Sequence, residues 1–145
     1  MKQRTLSISG YIILAAALVV LILRKSFFAE GSILIAIQIL AAMLMIWARI
    51  TFGLRSFHAA ANPTEGGLVT TGPFKFIRHP IYASVIYFIL ASVISHLSLL
   101  NIFLTVVCYL GAAIRIYLEE RLILTKYLEY SEYAKRTKRI IPFII

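Results

Sequence analysis

Between Ile81 and Ile114 the chain carries no Asp, Glu, Lys or Arg. One uninterrupted helix over those 34 residues would reach about 50 Å, well beyond a bilayer hydrocarbon core of about 30 Å. The run must therefore be broken, and Ser95-His96-Leu97-Ser98, with Asn101 close behind, is the natural break. The pattern predicts a short helix over about 80–95 and a longer one over about 98–118, folded into a tight hairpin.

Two further charge-free runs come earlier. Ser7 to Leu23 has about 17 residues, the lower limit for a spanning helix. Ser32 to Ala48 is the second, closed by Arg49, with Trp47 where an interfacial aromatic anchor belongs. Arg24, Lys25 and Glu30 form the short polar connection between them. Lys2 and Arg4 before an apolar run resemble the start of a signal peptide. The run ends in Leu21-Ile22-Leu23-Arg24-Lys25, however, with no small-residue cleavage site, so a retained first helix is expected. The expected fold is all-α, a single multi-pass membrane domain over residues 1–145. It has about four transmembrane helices (about 7–23, 32–48, 80–95 and 98–118), a loop over 49–79, and a C-terminal interfacial helix and tail over 119–145. Composition agrees: 61% of residues are hydrophobic and 14% charged, against roughly 45–50% and 25% in a soluble domain.

Charge then orients the spans. Four crossings put the N-terminus, the 49–79 loop and the C-terminal segment on one side, carrying two, four and seven of the 15 cations. The other side holds only Arg24 and Lys25. The positive-inside rule places both termini in the cytoplasm, of a bacterial inner membrane or of an endomembrane in a eukaryote. The net charge of +9 flanks apolar runs and forms no separate arm. It points to anionic membrane lipid as partner, not to nucleic acid.

The 49–79 loop has a turn at Asn62-Pro63-Thr64-Glu65-Gly66-Gly67, and its Phe52, Phe57, Phe74 and Phe76 alternate with Arg55, His58, Lys75 and Arg78. That mixture suits a segment at headgroup level. Beyond Ile114, Arg115, Glu119, Glu120, Arg121, Lys126, Glu129 and Glu132 alternate with Leu and Tyr. A helix leaving the membrane and continuing along its surface is expected there. The cations of Lys135-Arg136 and Lys138-Arg139 then suit lipid headgroups.

Cys108 is the only cysteine, so an internal disulfide and a cysteine metal cluster are excluded. No GxGxxG, P-loop, HExxH or GxSxG pattern occurs, and His96 is expected on the opposite face from His58 and His79, so no metal site is expected. Two polar islands remain. In Arg78-His79-Pro80 the proline pushes His79 out of helical conformation and suits the first helical turn. His79 thus stands at a helix mouth, either an anion-binding position or simply a helix start with an interfacial arginine. Glu119-Glu120 closes the last span, where carboxylates are costly unless they face water, a partner or a ligand. Arg115, four residues before Glu119, can pair with it, and the neighbouring Glu120 then points about 100° away. Gln38, the one strongly polar residue of the second run, reads as an interhelical hydrogen bond or a ligand contact.

The stretch Gly67-Leu68-Val69-Thr70-Thr71-Gly72-Pro73-Phe74-Lys75-Phe76-Ile77-Arg78-His79-Pro80-Ile81-Tyr82 resembles the Gly-Pro-Tyr-x-x-x-Arg-His-Pro-x-Tyr block of the isoprenylcysteine carboxyl methyltransferases, a group that extends to phospholipid N-methyltransferases. Arg115-x-x-x-Glu119-Glu120 is similar to that group's second motif, and Tyr130-x-x-Tyr133 followed by Pro142 to its tail. The resemblance implies a multi-pass membrane enzyme that uses S-adenosylmethionine and methylates a lipophilic acceptor: a carboxylate, a thiol or a lipid headgroup. It further implies cofactor contacts from Gly72, His79, Pro80, Tyr82, Glu119, Glu120 and Tyr130, with Arg78 and Arg115 positioning the acceptor or the transition state. This chain departs from the pattern at Tyr127-Leu128, where Phe-Gly is usual, and at Ala83-Ser84. The alternative is a non-catalytic membrane protein or a four-helix transporter, which would carry an ionisable group near mid-bilayer. Four short helices also leave room for a homo-oligomer.

Overall fold

The computed structural model describes residues 2–53 and 67–142, with side chains from residue 8 onward. Among the described residues there are five α-helices and no strand: α1 (Lys2–Leu23), α2 (Ser32–Phe52), α3 (Pro80–Ser95), α4 (Leu99–Lys126) and α5 (Tyr130–Arg136). A 3₁₀ turn, Gly72–Lys75, precedes α3. The turn at 62–66, with Arg55, Phe57 and His58, lies outside the described residues.

The helix ends follow local chemistry. The α1 terminus closes with Ser26 N–H on the Leu21 carbonyl (3.0 Å) and Lys25 N–H on the Ile22 carbonyl (2.9 Å). Lys25 takes the left-handed conformation that this closure requires (φ 54°). The expected break of the long apolar run falls at His96, and Ser98 caps α4 by accepting from the Asn101 amide at 3.1 Å. Two ends differ from expectation. Helix α2 continues past Ala48 to Phe52, because nothing interrupts it before Gly53, which sits at φ 70°. Helix α4 does not stop near Leu118 but runs unbroken to Lys126; only at Tyr127 does the backbone become extended. The expected interfacial helix from residue 119 is thus the end of α4 followed by the separate, short α5.

Helix α1 packs chiefly along α4 and α2 along α3, while α3 and α4 meet over a shorter length. The core lies where α1, α3 and α4 converge, with Ala17, Leu21, Ile89, Val93 and Cys108 buried together. The α1–α4 contact is tight at glycine: a Cβ on Gly111 would lie 3.1 Å from the Gly10 carbonyl oxygen. By length and apolarity α2 and α4 are able to cross a membrane, whereas α3 and the apolar part of α1 are shorter.

At the end of the molecule bearing the α1–α2 connection, Gln38 is buried and fully used. Its carbonyl accepts from Ala29 N–H (2.9 Å), and its amide donates to the Phe27 carbonyl (3.0 Å) and to Ser92 Oγ (2.9 Å). It is an interhelical bridge, which also pins the α1–α2 loop. Beside it Arg24 Nε donates to Asn101 Oδ1 (3.2 Å). The arginines, histidine and paired glutamates of Arg78-His79 and Arg115 to Glu120 gather away from this end.

Candidate functional site

Pro80 is the first residue of α3, and it holds His79 outside the helix at φ −126°, ψ 58°. Residues 77–79 therefore form a non-helical neck whose amides must find partners elsewhere. They find them in the C-terminal tail: Arg78 N–H donates to the Lys138 carbonyl (2.7 Å) and His79 N–H to the Arg139 carbonyl (3.0 Å). Ile77 and Lys138 form an isolated parallel bridge. Three side chains reinforce the tie. Tyr133 Oη donates to the Phe74 carbonyl (2.6 Å), Thr137 Oγ1 to the Tyr133 carbonyl (2.7 Å), and Tyr87 Oη to the Ile140 carbonyl (2.8 Å).

The two glutamates of α4 reach into this junction with different partners, as neighbours about 100° apart on a helix must. Glu120 Oε1 accepts from Arg78 Nε at 2.9 Å and from His79 Nε2 at 3.2 Å. Its Oε2 accepts from Arg139 Nε at 3.0 Å and Nη2 at 2.9 Å. Glu119 Oε1 accepts a short hydrogen bond from Tyr82 Oη and a longer one from Arg115 Nη2 (3.3 Å). Arg115 Nε in turn donates to Tyr82 Oη (2.7 Å). The His79 ring lies between the carboxylates, its Nδ1 4.0 Å from Glu119 Oε2.

Electrostatics follow from this packing. Glu120 lies beyond the apolar stretch of α4. Burial works against its charge, but hydrogen bonds from His79, Arg139 and Arg78 outweigh that and hold the carboxyl well below the usual range. The Glu120 contact also raises Arg139 above its ordinary value. Burial pushes the Tyr133 hydroxyl up to about 12. It raises Tyr130 as well, with the Glu120 charge adding to the effect. Tyr130 Oη is buried without a hydrogen-bond partner among the described residues.

Of the residues singled out in the sequence, Arg78 and His79 gather on Glu120, and Tyr82 and Arg115 on Glu119, the two groups meeting where His79 Nδ1 lies 4.0 Å from Glu119 Oε2, with Pro80 buried at the neck and Tyr130 beside Glu120. Gly72 is placed elsewhere, against the end of α2. It has φ +56°, and a Cβ there would meet Thr51 Oγ1 at 2.6 Å, so both the conformation and the close approach need glycine. The two arginines differ. Arg78 also donates through Nη1 to the carbonyls of Ala134 (2.8 Å) and Thr137 (2.5 Å), the geometry of a staple between neck, α4 and tail. Arg115 is buried between aromatic rings, its guanidinium carbon 5.4 Å from the Tyr11 centroid and 5.9 Å from that of Tyr82.

Sequence reasoning missed Arg139 and Tyr11. Arg139 read as one of the tail cations, and nothing in its spacing marks it for Glu120. Tyr11 reaches Arg115 only because Gly10 and Gly111 let α1 lie close on α4. Among the described residues no group of three or more His, Cys, Asp or Glu is placed to hold a metal ion.

A family model described as phospholipid methyltransferase matches residues 26–130, from the connection after α1 to the start of α5. Helix α1 and the tail from Ser131, with Tyr133 and Arg139, lie outside that match. No curated protein and no solved structure matches significantly.

Proposed function

The chain belongs to the phospholipid methyltransferase family, and from that premise we propose that it is an S-adenosylmethionine-dependent methyltransferase of the membrane, acting on a lipophilic acceptor. The observation that carries the reading is the convergence of the α3 neck with Glu119-Glu120. Two adjacent carboxylates, an imidazole and a helix N-terminus gather at one end of an otherwise apolar helical body. In this reading four helices cross the bilayer, both termini are cytoplasmic, and the network lies at that face.

The residues present fit the cofactor. Its amino-acid end carries an ammonium, which a buried glutamate can hold, and a carboxylate, which suits the N-terminus of α3. The Arg78 and His79 amides already serve the tail, so the carboxylate position narrows to the first turn of α3 itself. Tyr130 Oη, buried and unpartnered among the described residues, offers a further donor to a polar ligand atom. When bound, the cofactor supplies an electrophilic methyl group on a sulfonium.

The chain's own part is alignment of two reactants, worth up to roughly 7–11 kcal/mol of a displacement barrier. Glu119 and Glu120 hold the cationic and hydroxyl-bearing parts of the ligand, and His79 keeps the carboxylates apart. Arg115, fixed by Tyr82 and Glu119, carries the charge that an acidic acceptor headgroup would meet. A phospholipid headgroup is the acceptor class the family suggests; an isoprenoid or fatty carboxylate, or a thiol, fits the same arginine.

Calorimetric titration of S-adenosylmethionine into protein in lipid nanodiscs tests the site. Glu120→Gln and His79→Ala should each weaken binding tenfold or more, and wild-type affinity in both would overturn the assignment. Incubation with labelled S-adenosylmethionine and a membrane lipid extract should label a lipid. The absence of transfer to any lipid or thiol would overturn the catalytic reading.

A further inference from the structure

The two oxygens of Glu120 are held in physically different ways. Oε1 is held from within, by Arg78 and His79, whose side chains are 11% and 6% exposed. The partner of Oε2 among the described residues is Arg139, whose side chain is 52% exposed although the carboxylate it grips is 10% exposed. The Arg139 backbone is tethered to the neck through the bond from His79 N–H to its carbonyl (3.0 Å). The guanidinium can therefore swing into solvent without the tail coming loose. An ion pair whose cation is half exposed to solvent is held more weakly than one buried on both sides. Glu120 keeps Arg78 and His79 at Oε1 when Oε2 is released, and Arg139 is the cation able to leave.

We infer that Arg139 is an internal competitor of the ligand: it fills the position on Glu120 Oε2 that a primary ammonium group would take, and it swings out when the amino-acid end of the cofactor enters. The inference rests on the cofactor reading of the preceding section and adds a control to it. The exchange trades one cation for another, so Glu120 never stands unpaired. The demethylated product keeps the same ammonium, so return of Arg139 to Oε2 also helps expel it. A contact closed nine-tenths of the time would weaken apparent affinity about tenfold for cofactor and product alike. Arg139 lies beyond the residues matched by the family model, so this control belongs to the chain's own tail.

Calorimetric titrations of S-adenosylmethionine and S-adenosylhomocysteine into the full chain in nanodiscs test it, using wild type, Arg139→Gln, Arg139→Met and Arg139→Lys. Both neutral variants should bind both ligands about threefold to tenfold more tightly, and Arg139→Lys, which keeps a cation, should stay near wild type. Unchanged or weaker binding in the neutral variants, with wild type binding normally, overturns the competitor role and leaves the cofactor reading standing. Weaker binding would make Arg139 a ligand-holding residue instead. Failure of all four proteins to bind either ligand overturns the cofactor reading, and the competitor role with it.

Discussion

Arg78 Nε stands 2.9 Å from Glu120 Oε1, joining residues 42 apart in the chain, and the same guanidinium donates to the carbonyls of Ala134 and Thr137. One planar group thus locks the neck of α3, the end of α4 and the tail. Arg78→Ala leaves a buried carboxylate and two carbonyls short of donors, a loss of about 3–5 kcal/mol. Lysine restores charge but not the fork of donors, so Arg78→Lys should recover only part of it. Thermal unfolding in detergent should order the three proteins wild type, Lys, Ala; a Lys variant as stable as wild type would show that charge alone is needed.

Tyr133 Oη donates to the Phe74 carbonyl at 2.6 Å, tying α5 to the 3₁₀ turn ahead of the neck. Tyr133→Phe keeps the ring and leaves that carbonyl without its donor, at about 1–3 kcal/mol. The effect should be local. Hydrogen exchange at the Lys138 amide, which bonds the Phe76 carbonyl, should speed up severalfold while exchange in the α2–α3 pair stays unchanged. Uniform acceleration across all helices would argue against a local tie.

Much of this arrangement is legible in the sequence because it follows from length and periodicity. The charge-free run from Ile81 to Ile114 is too long for one span, and its break falls at His96 as polarity indicates. Adjacent glutamates on a helix diverge, so Arg115 pairs with Glu119 while Glu120 turns to the α3 neck. Other features leave no such mark. Bilayer thickness argues for a stop near Leu118, but helical hydrogen bonding has no reason to stop there, since no proline or glycine follows before Lys126. The parallel tie of Ile77 to Lys138 is made by backbone groups that every residue carries. Arg139 finds Glu120 only because that tie brings it there.

Gly111 and Gly10 set the distance between α4 and α1, with a Cβ on Gly111 falling 3.1 Å from a backbone oxygen and one on Gly10 meeting its nearest atoms at 3.4 Å. A backbone atom cannot turn aside as a side chain can. Gly111→Ala should therefore cost about 1–3 kcal/mol through overpacking, and Gly10→Ala less. The displacement also draws Tyr11 away from Arg115, so the proposed methyl transfer to lipid should fall more in Gly111→Ala than in Gly10→Ala. Equal stability of the two variants would show that α1 gives way freely.

The Glu120 carboxyl is held well below the ordinary value of about 4.5 by His79, Arg139 and Arg78 acting against burial. The sign follows from linkage: a group whose folded-state value is depressed contributes stability that is full above its unfolded value and is lost as pH falls through the folded one. The stability gap between wild type and Glu120→Gln should therefore stay constant from pH 7 down to about 5. It should shrink only below the ordinary carboxylate value, as protons begin to favour the unfolded chain. Denaturant midpoints of both proteins, measured across that range in the same detergent, give the gap directly. A gap that already closes between pH 7 and 6 would overturn the depressed Glu120 carboxyl as the source of this stability.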